Sequence, residues 1–172
     1  MKYTLAVLNQ MDEDAFANAL GNIFEETPAI ARHTWSQRPF HTIENLHRAL
    51  VTTMRELDNS ALLALIRAHP ELGTKYKMTD DSLKEHAGAG LNNLTSHESN
   101  RLQMLSRAYT NKFGFPFVMA VKRHSINSIL ATFEQRLQHS IGQEIEQALT
   151  EIEKIAWFRL SSCIEPEVQV RS

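Results

Sequence analysis

The sequence predicts an all-α domain of about seven to eight helices. Apolar residues recur at helical spacing in six segments, and no alternating strand pattern with hairpin turns competes with them. Helix-opening polar residues also stand where several of these segments begin. After Asp12, a candidate N-cap, Phe16, Ala19, Leu20, Ile23 and Phe24 follow the i, i+3, i+4 rule. Ile43, Leu46, Leu50 and Met54 make a second stripe behind His41 and Thr42. Residues 61–68 are apolar almost all the way round, which predicts a buried helix. Thr95-Ser96-His97-Glu98 has capping-box spacing ahead of Leu102, Leu105, Ala108 and Tyr109. Ile126, Ile129, Leu130 and Phe133 mark a fifth helix. Ser140-Ile141-Gly142-Gln143 opens the sixth and clearest, through Ile141, Ile145, Ala148, Leu149, Ile152, Ile155, Ala156 and Leu160. Residues 115–121 would pass for a strand taken alone, but no partner strand is in view.

At 172 residues, 42% apolar and 22% charged, the chain is expected to form one globular domain spanning 1–172. No internal repeat, low-complexity tract or linker interrupts it. A net charge of −2 makes no electrostatic case for nucleic acid or an anionic membrane as partner. The single Cys163 cannot pair internally and fits a reducing compartment. The N-terminus does not have the form of a signal peptide, and the C-terminus is not a peroxisomal address. No apolar stretch approaches the ~18–20 residues needed to span a bilayer. The expectation is a cytoplasmic protein.

Three places depart from regular helical patterning. His69-Pro70 follows the greasiest helix. A histidine there can simply complement the helix dipole while Pro70 stops the helix, or it can be a proton-transfer group held at a cleft edge. Ser82-Leu83-Lys84-Glu85-His86 has capping-box spacing after Thr79-Asp80-Asp81. The same geometry also offers free N–H groups to an anionic ligand, with Glu85 able to orient a nearby histidine. Lys112-Phe113-Gly114-Phe115-Pro116-Phe117 leads an apolar path whose backbone bonding is broken at Pro116. That path is either core filling or a source of N–H groups for a flat polar ligand, with Lys122 or Arg123 near a carboxylate. The eight histidines form no zinc motif with a glutamate, one cysteine provides no thiolate site, and no phosphate loop or serine elbow is present. The pattern favours acid–base chemistry without metal or cofactor.

In order and spacing, His69-Pro70-Glu71-Leu72, then Ser82-x-x-Glu85 with Ala87-Gly88-x-Gly90-Leu91, then Tyr109-x-x-Lys112-Phe113-Gly114-Phe115-Pro116-Phe117-Val118 resemble one family. It is the 2-oxo-4-hydroxy-4-carboxy-5-ureidoimidazoline (OHCU) decarboxylase family of uric acid degradation. Leu8-Asn9, Phe24-Glu25, Ile30-Ala31, Trp35 and Arg38-Pro39-Phe40 resemble its opening. Arg136-Leu137 and Ile155-Ala156-x-x-Arg159-Leu160 resemble its closing helices. The resemblance implies an all-helical homodimer that decarboxylates OHCU, a small-molecule substrate, to (S)-allantoin with no cofactor. It implies His69 as the catalytic acid–base residue, Glu85 as its acidic partner and Pro70 as pocket wall. It further implies Ser82, Leu83, Lys84, Glu85 and His86 along the substrate. Backbone hydrogen bonds would come from Phe117, Val118, Met119, Ala120 and Val121, and Lys122 would stand near the carboxylate. This sequence departs from the family pattern at His86, usually Gln, at Lys122, often Arg, at Ser106, usually Asn, and at Ala29, frequently Trp. The link over residues 71–81 is also short. A related decarboxylase or hydrolase on another ureido acid, or a non-catalytic helical adaptor, are the competing expectations.

Overall fold

The computed structural model describes residues 2–72 and 94–166. Within them lie eight α-helices: α1 (Leu5–Gln10), α2 (Glu13–Leu20), α3 (Ala29–Thr34), α4 (Ile43–Arg55), α5 (Asn59–Ala68), α6 (Ser96–Phe113), α7 (Ile126–Arg136) and α8 (Ile141–Cys163). A 3₁₀ turn, Trp35–Gln37, follows α3. Among the described residues the one β contact is an isolated parallel bridge between Tyr3 and Ile164. No helix there is long and apolar enough to cross a membrane. The all-α expectation holds.

The helix starts follow local chemistry. Each α-helix leaves its first N–H groups without intrahelical acceptors, and a short polar side chain fills one of them. Asp12 accepts from the Ala15 N–H at 2.8 Å, Thr42 from Asn45 at 3.0 Å and Ser125 from Ser128 at 3.1 Å. Two of the three predicted capping boxes form, and the third, at Ser82, lies outside the described residues. Thr95 and Glu98 exchange side-chain-to-backbone bonds at 3.0 and 3.2 Å, and Ser140 and Gln143 do so at 2.8 and 3.2 Å.

The described residues fall into two compact units, residues 2–62 with 153–166, and residues 63–72 with 94–152. In the first, Leu8, Phe16, Leu20, Ile30, Leu46, Leu50 and Met54 are fully buried. A polar clasp fixes the turn after the 3₁₀ segment. The Asn9 amide donates to the Phe40 carbonyl at 2.9 Å and accepts its N–H at 2.8 Å. The Trp35 indole donates to the Met11 carbonyl at 2.9 Å, and the Arg38 guanidinium lies 4.0 Å above the Trp35 ring while reaching the Asn9 carbonyl. The Arg38–Pro39 peptide in this turn is cis. Ile23 and Phe24 are buried as their spacing predicts, but α2 ends at Leu20 and they enter the core from the turn that follows.

In the second unit an aromatic cluster surrounds Tyr109. Its ring meets Phe113, Phe115, Phe117 and Phe133 with centroids 4.6 to 6.0 Å apart, and Phe117 stacks on Phe133 at 3.7 Å. Buried aromatic edges and faces pair in this way because of the ring quadrupole. α5 is less buried than its composition predicts: Leu65 and Ile66 are buried, Leu62 and Leu63 half-buried, and Ala64 exposed. Alanine carries so little area that it marks a helix face poorly.

Candidate functional site

α5 ends at Ala68, and His69 continues its last turn, with its N–H on the Ile66 carbonyl at 3.2 Å. The imidazole is buried, 7% exposed. Its Nδ1 lies 2.9 Å from the Leu65 carbonyl. A carbonyl only accepts, so Nδ1 carries the proton there. In the neutral ring Nε2 is therefore the nitrogen that carries no proton. Pro70 is half-buried and Leu72 buried.

Two bonds bring the end of α5 to the end of α6. Arg67 Nε donates to the Gly114 carbonyl at 3.3 Å, and the Thr110 hydroxyl donates to Glu71 at 3.2 Å. Gly114 terminates α6 with φ +79° while its N–H returns to the Thr110 carbonyl at 2.8 Å. That left-handed conformation suits glycine and turns the chain out of the helix. From there Phe115, Phe117, Val118, Met119, Ala120 and Val121 run buried without regular secondary structure, and Lys122 emerges exposed. Among the described residues the segment has no partner strand, as its sequence predicts. Ser82, Leu83, Lys84, Glu85 and His86 lie outside the described residues.

Sequence reasoning did not single out the charged group that holds this segment. Glu144 is fully buried. Its Oε1 accepts from Arg136 Nε at 2.8 Å and the Tyr109 hydroxyl at 2.5 Å, and its Oε2 faces His139 Nδ1 at 2.9 Å. Arg136, 3% exposed, also donates from Nη1 to the Val118 carbonyl at 2.6 Å and lies 4.2 Å above the Phe117 ring. A second buried carboxylate, Glu151, accepts the Ala120 N–H at 3.3 Å. Burial, and then the bond to Glu144, push the Tyr109 phenol well above its ordinary value. Position Glu144 also suits a carboxylate, since it lies in the first turn of α8 at the positive end of the helix dipole.

A signal for these residues exists in the pattern. Arg136 stands three positions after Phe133, and Glu144 and Glu151 alternate with Ala148 and Ile155 at spacings of three and four. A charge on the apolar stripe of a helix, rather than on its opposite face, marks a buried polar group. Ser106 is likewise buried on α6, and its hydroxyl has no hydrogen-bond partner among the described residues. A surface hollow of about 540 Å³ lined by Thr95, Glu98, Arg101, Asn127 and Glu134 contains none of the expected site residues.

The OHCU decarboxylase family model matches residues 9–161. An OHCU decarboxylase from Halalkalicoccus jeotgali is 41% identical over 165 residues, covering 96% of this chain and 94% of that one. The Haloferax volcanii enzyme of the same name is 38% identical over 164 residues, covering 95% and 98%. Among solved structures, an (S)-allantoin synthase superposes with a TM-score of 0.79 at 29% identity over 94% of this chain. This chain spans 54% of that longer one. An OHCU decarboxylase crystallised in the presence of (S)-allantoin shares the fold, with a TM-score of 0.66 at 18% identity over 88% of this chain and 97% of the other. With nearly the whole length matched in sequence and its helices matched in space, this chain belongs to the OHCU decarboxylase family.

Proposed function

We propose that this chain decarboxylates OHCU to (S)-allantoin, as a single domain that takes a small-molecule substrate and needs no metal or organic cofactor. Membership of the family supports the reaction. The observation that supports His69 as its acid–base residue is the buried imidazole with Nδ1 committed to the Leu65 carbonyl. Loss of CO2 from a carbon next to a carbonyl or imine leaves a carbanion, whose charge is delocalised onto that group and stabilised by aligned donors. The irregular backbone of residues 117–121 supplies candidates for those donors. Nε2 of His69 then delivers a proton to one face of the carbon, which makes one enantiomer. In this scheme Glu85 orients His69, Pro70 forms the pocket wall, and Ser82, Leu83, Lys84 and His86 line the substrate with Lys122 near its carboxylate. The working form is a cytoplasmic homodimer, as the family resemblance implies.

The test generates OHCU from urate in the cuvette and follows the circular dichroism of (S)-allantoin. The wild-type protein is expected to outpace the spontaneous, racemic reaction. His69→Asn is expected to lose roughly 100-fold or more of kcat, the usual weight of a general acid–base residue. Stereospecific decarboxylation at the wild-type rate in His69→Asn would overturn the role given to this residue. A folded wild-type protein with no effect on the reaction would overturn the activity itself.

A further inference from the structure

Arg136 continues the apolar stripe of α7 one turn past Phe133, yet carries a charge that a protein cannot remove by deprotonation. A buried guanidinium needs a counter-charge and well-placed hydrogen bonds to offset its desolvation. Glu144 provides the counter-charge through Nε at 2.8 Å, and the Phe117 ring lies beneath the guanidinium plane. Of its two terminal nitrogens, Nη1 donates to the Val118 carbonyl at 2.6 Å, and Nη2 is buried with no hydrogen-bond partner among the described residues. Arg136 therefore ties a charge held between two helices to a single peptide unit of the irregular segment.

The Val118–Met119 peptide is trans. In a planar trans peptide the carbonyl and the following N–H point in opposite directions. Holding the Val118 carbonyl against Arg136 therefore turns the Met119 N–H to the far side of the chain. The next amide is treated differently, because the Ala120 N–H is taken by Glu151 at 3.3 Å. Of two successive N–H groups in a buried, irregular stretch, one is consumed by the scaffold and the other is aimed away from Arg136.

We propose that Arg136, balanced by Glu144, is a positioning residue: through the Val118 carbonyl it presents the Met119 N–H to the substrate as a fixed donor. This rests on the assignment of residues 117–121 to the substrate site under the proposed decarboxylation. Arg136 itself touches no substrate. Its contribution is preorganisation, since a donor that need not reorient acts on the charge developing in the transition state. The planar fork matters, because a lysine ammonium is a point charge that does not reproduce the paired Nε and Nη1 geometry.

The experiment starts with wild-type protein. If it does not accelerate (S)-allantoin formation, the decarboxylase reading fails before Arg136 is tested, and the positioning role falls with it. Once activity is established, Arg136→Lys and the double variant Arg136→Met with Glu144→Gln are compared with wild type. Folding is checked by cooperative urea transitions. Both variants are expected to lose roughly tenfold to a hundredfold in kcat. KM is expected to change far less, the pattern for an interaction realised in the transition state. Folded variants with wild-type kcat and KM overturn the proposal. If neither variant folds, ¹⁵N-labelled wild-type protein decides the matter by titration with (S)-allantoin. The Met119 amide resonance is expected to move saturably and the Ala120 amide to move much less. No saturable movement at Met119, or the reverse order, overturns it.

Discussion

Two ionic clusters in this molecule pair arginine with carboxylate at similar distances in opposite settings. Around Glu144, one carboxylate gathers Arg136, Tyr109 and His139 at 2.5 to 2.9 Å, with Glu144 fully buried. Around Arg32, one guanidinium gathers Glu13 at 3.1 Å and Asp14 at 2.7 Å, with side chains 45 to 82% exposed. Bond length does not separate them. Solvent does: water competes for Arg32 and its partners and screens them, while the Arg136–Glu144 pair is shielded from water on both sides. The surface cluster decorates the start of α2, and the buried one sets the path of the backbone at Val118.

Removing the buried centre sharpens the contrast most. Glu144→Ala leaves Arg136 charged, buried and uncompensated, and is expected to cost about 3–5 kcal/mol. The urea midpoint measures this, and a loss under about 1 kcal/mol at unchanged slope would break the comparison. Tyr109→Phe is expected to come next, at about 1.5–3 kcal/mol for a lost bond to a charged acceptor.

The tyrosine also provides a pH signature. In the folded protein its phenol is raised above the unfolded value, so above about pH 10 the unfolded chain gives up this proton while the folded chain keeps it. The contribution is complete below that pH and declines as pH rises, by up to about 1.4 kcal/mol per pH unit. Urea transitions at pH 9, 10 and 11 should show a steeper fall in wild type than in Tyr109→Phe. Equal slopes would contradict it. The smallest effect belongs to the surface: Arg32→Ala is expected to leave the Tm unchanged within error, as exposed pairs usually do. A clear drop would mean that burial is not what distinguishes the two clusters.

What could be read in the sequence follows the range of the forces involved. Asp12, Thr42, Thr95 and Ser140 mark helix starts because a cap bonds to a backbone N–H only three residues away. The long stripe of α8 was legible because 23 residues contain several repeats of the helical period. α1 and α3, at six residues each, contain too few, and the turns around Arg38-Pro39 contain none. The candidate site is legible in the same uneven way. His69 stood out as a polar residue at the end of an apolar helix, and residues 117–121 as an apolar path interrupted by Gly114 and Pro116. Arg136 and Glu144 are not among the candidate groups that the sequence suggests, although their spacing places them on core-facing stripes. A charged residue on a helix is most often solvated, and only its partner shows otherwise.

By itself, the sequence determined the helical class, the main helix starts, the segments where regular structure stops, and the resemblance now matched over residues 9–161. Those properties come from spacing and from contacts within a few residues, so they are written in the linear order. Tertiary structure alone decided that Glu144 is a buried anchor, that Arg136 reaches Val118 and that the Ala120 N–H is already taken by Glu151. These pairings join residues 8, 18 and 31 positions apart. A hydrogen bond across such a gap depends on how helices pack, and no local rule specifies that.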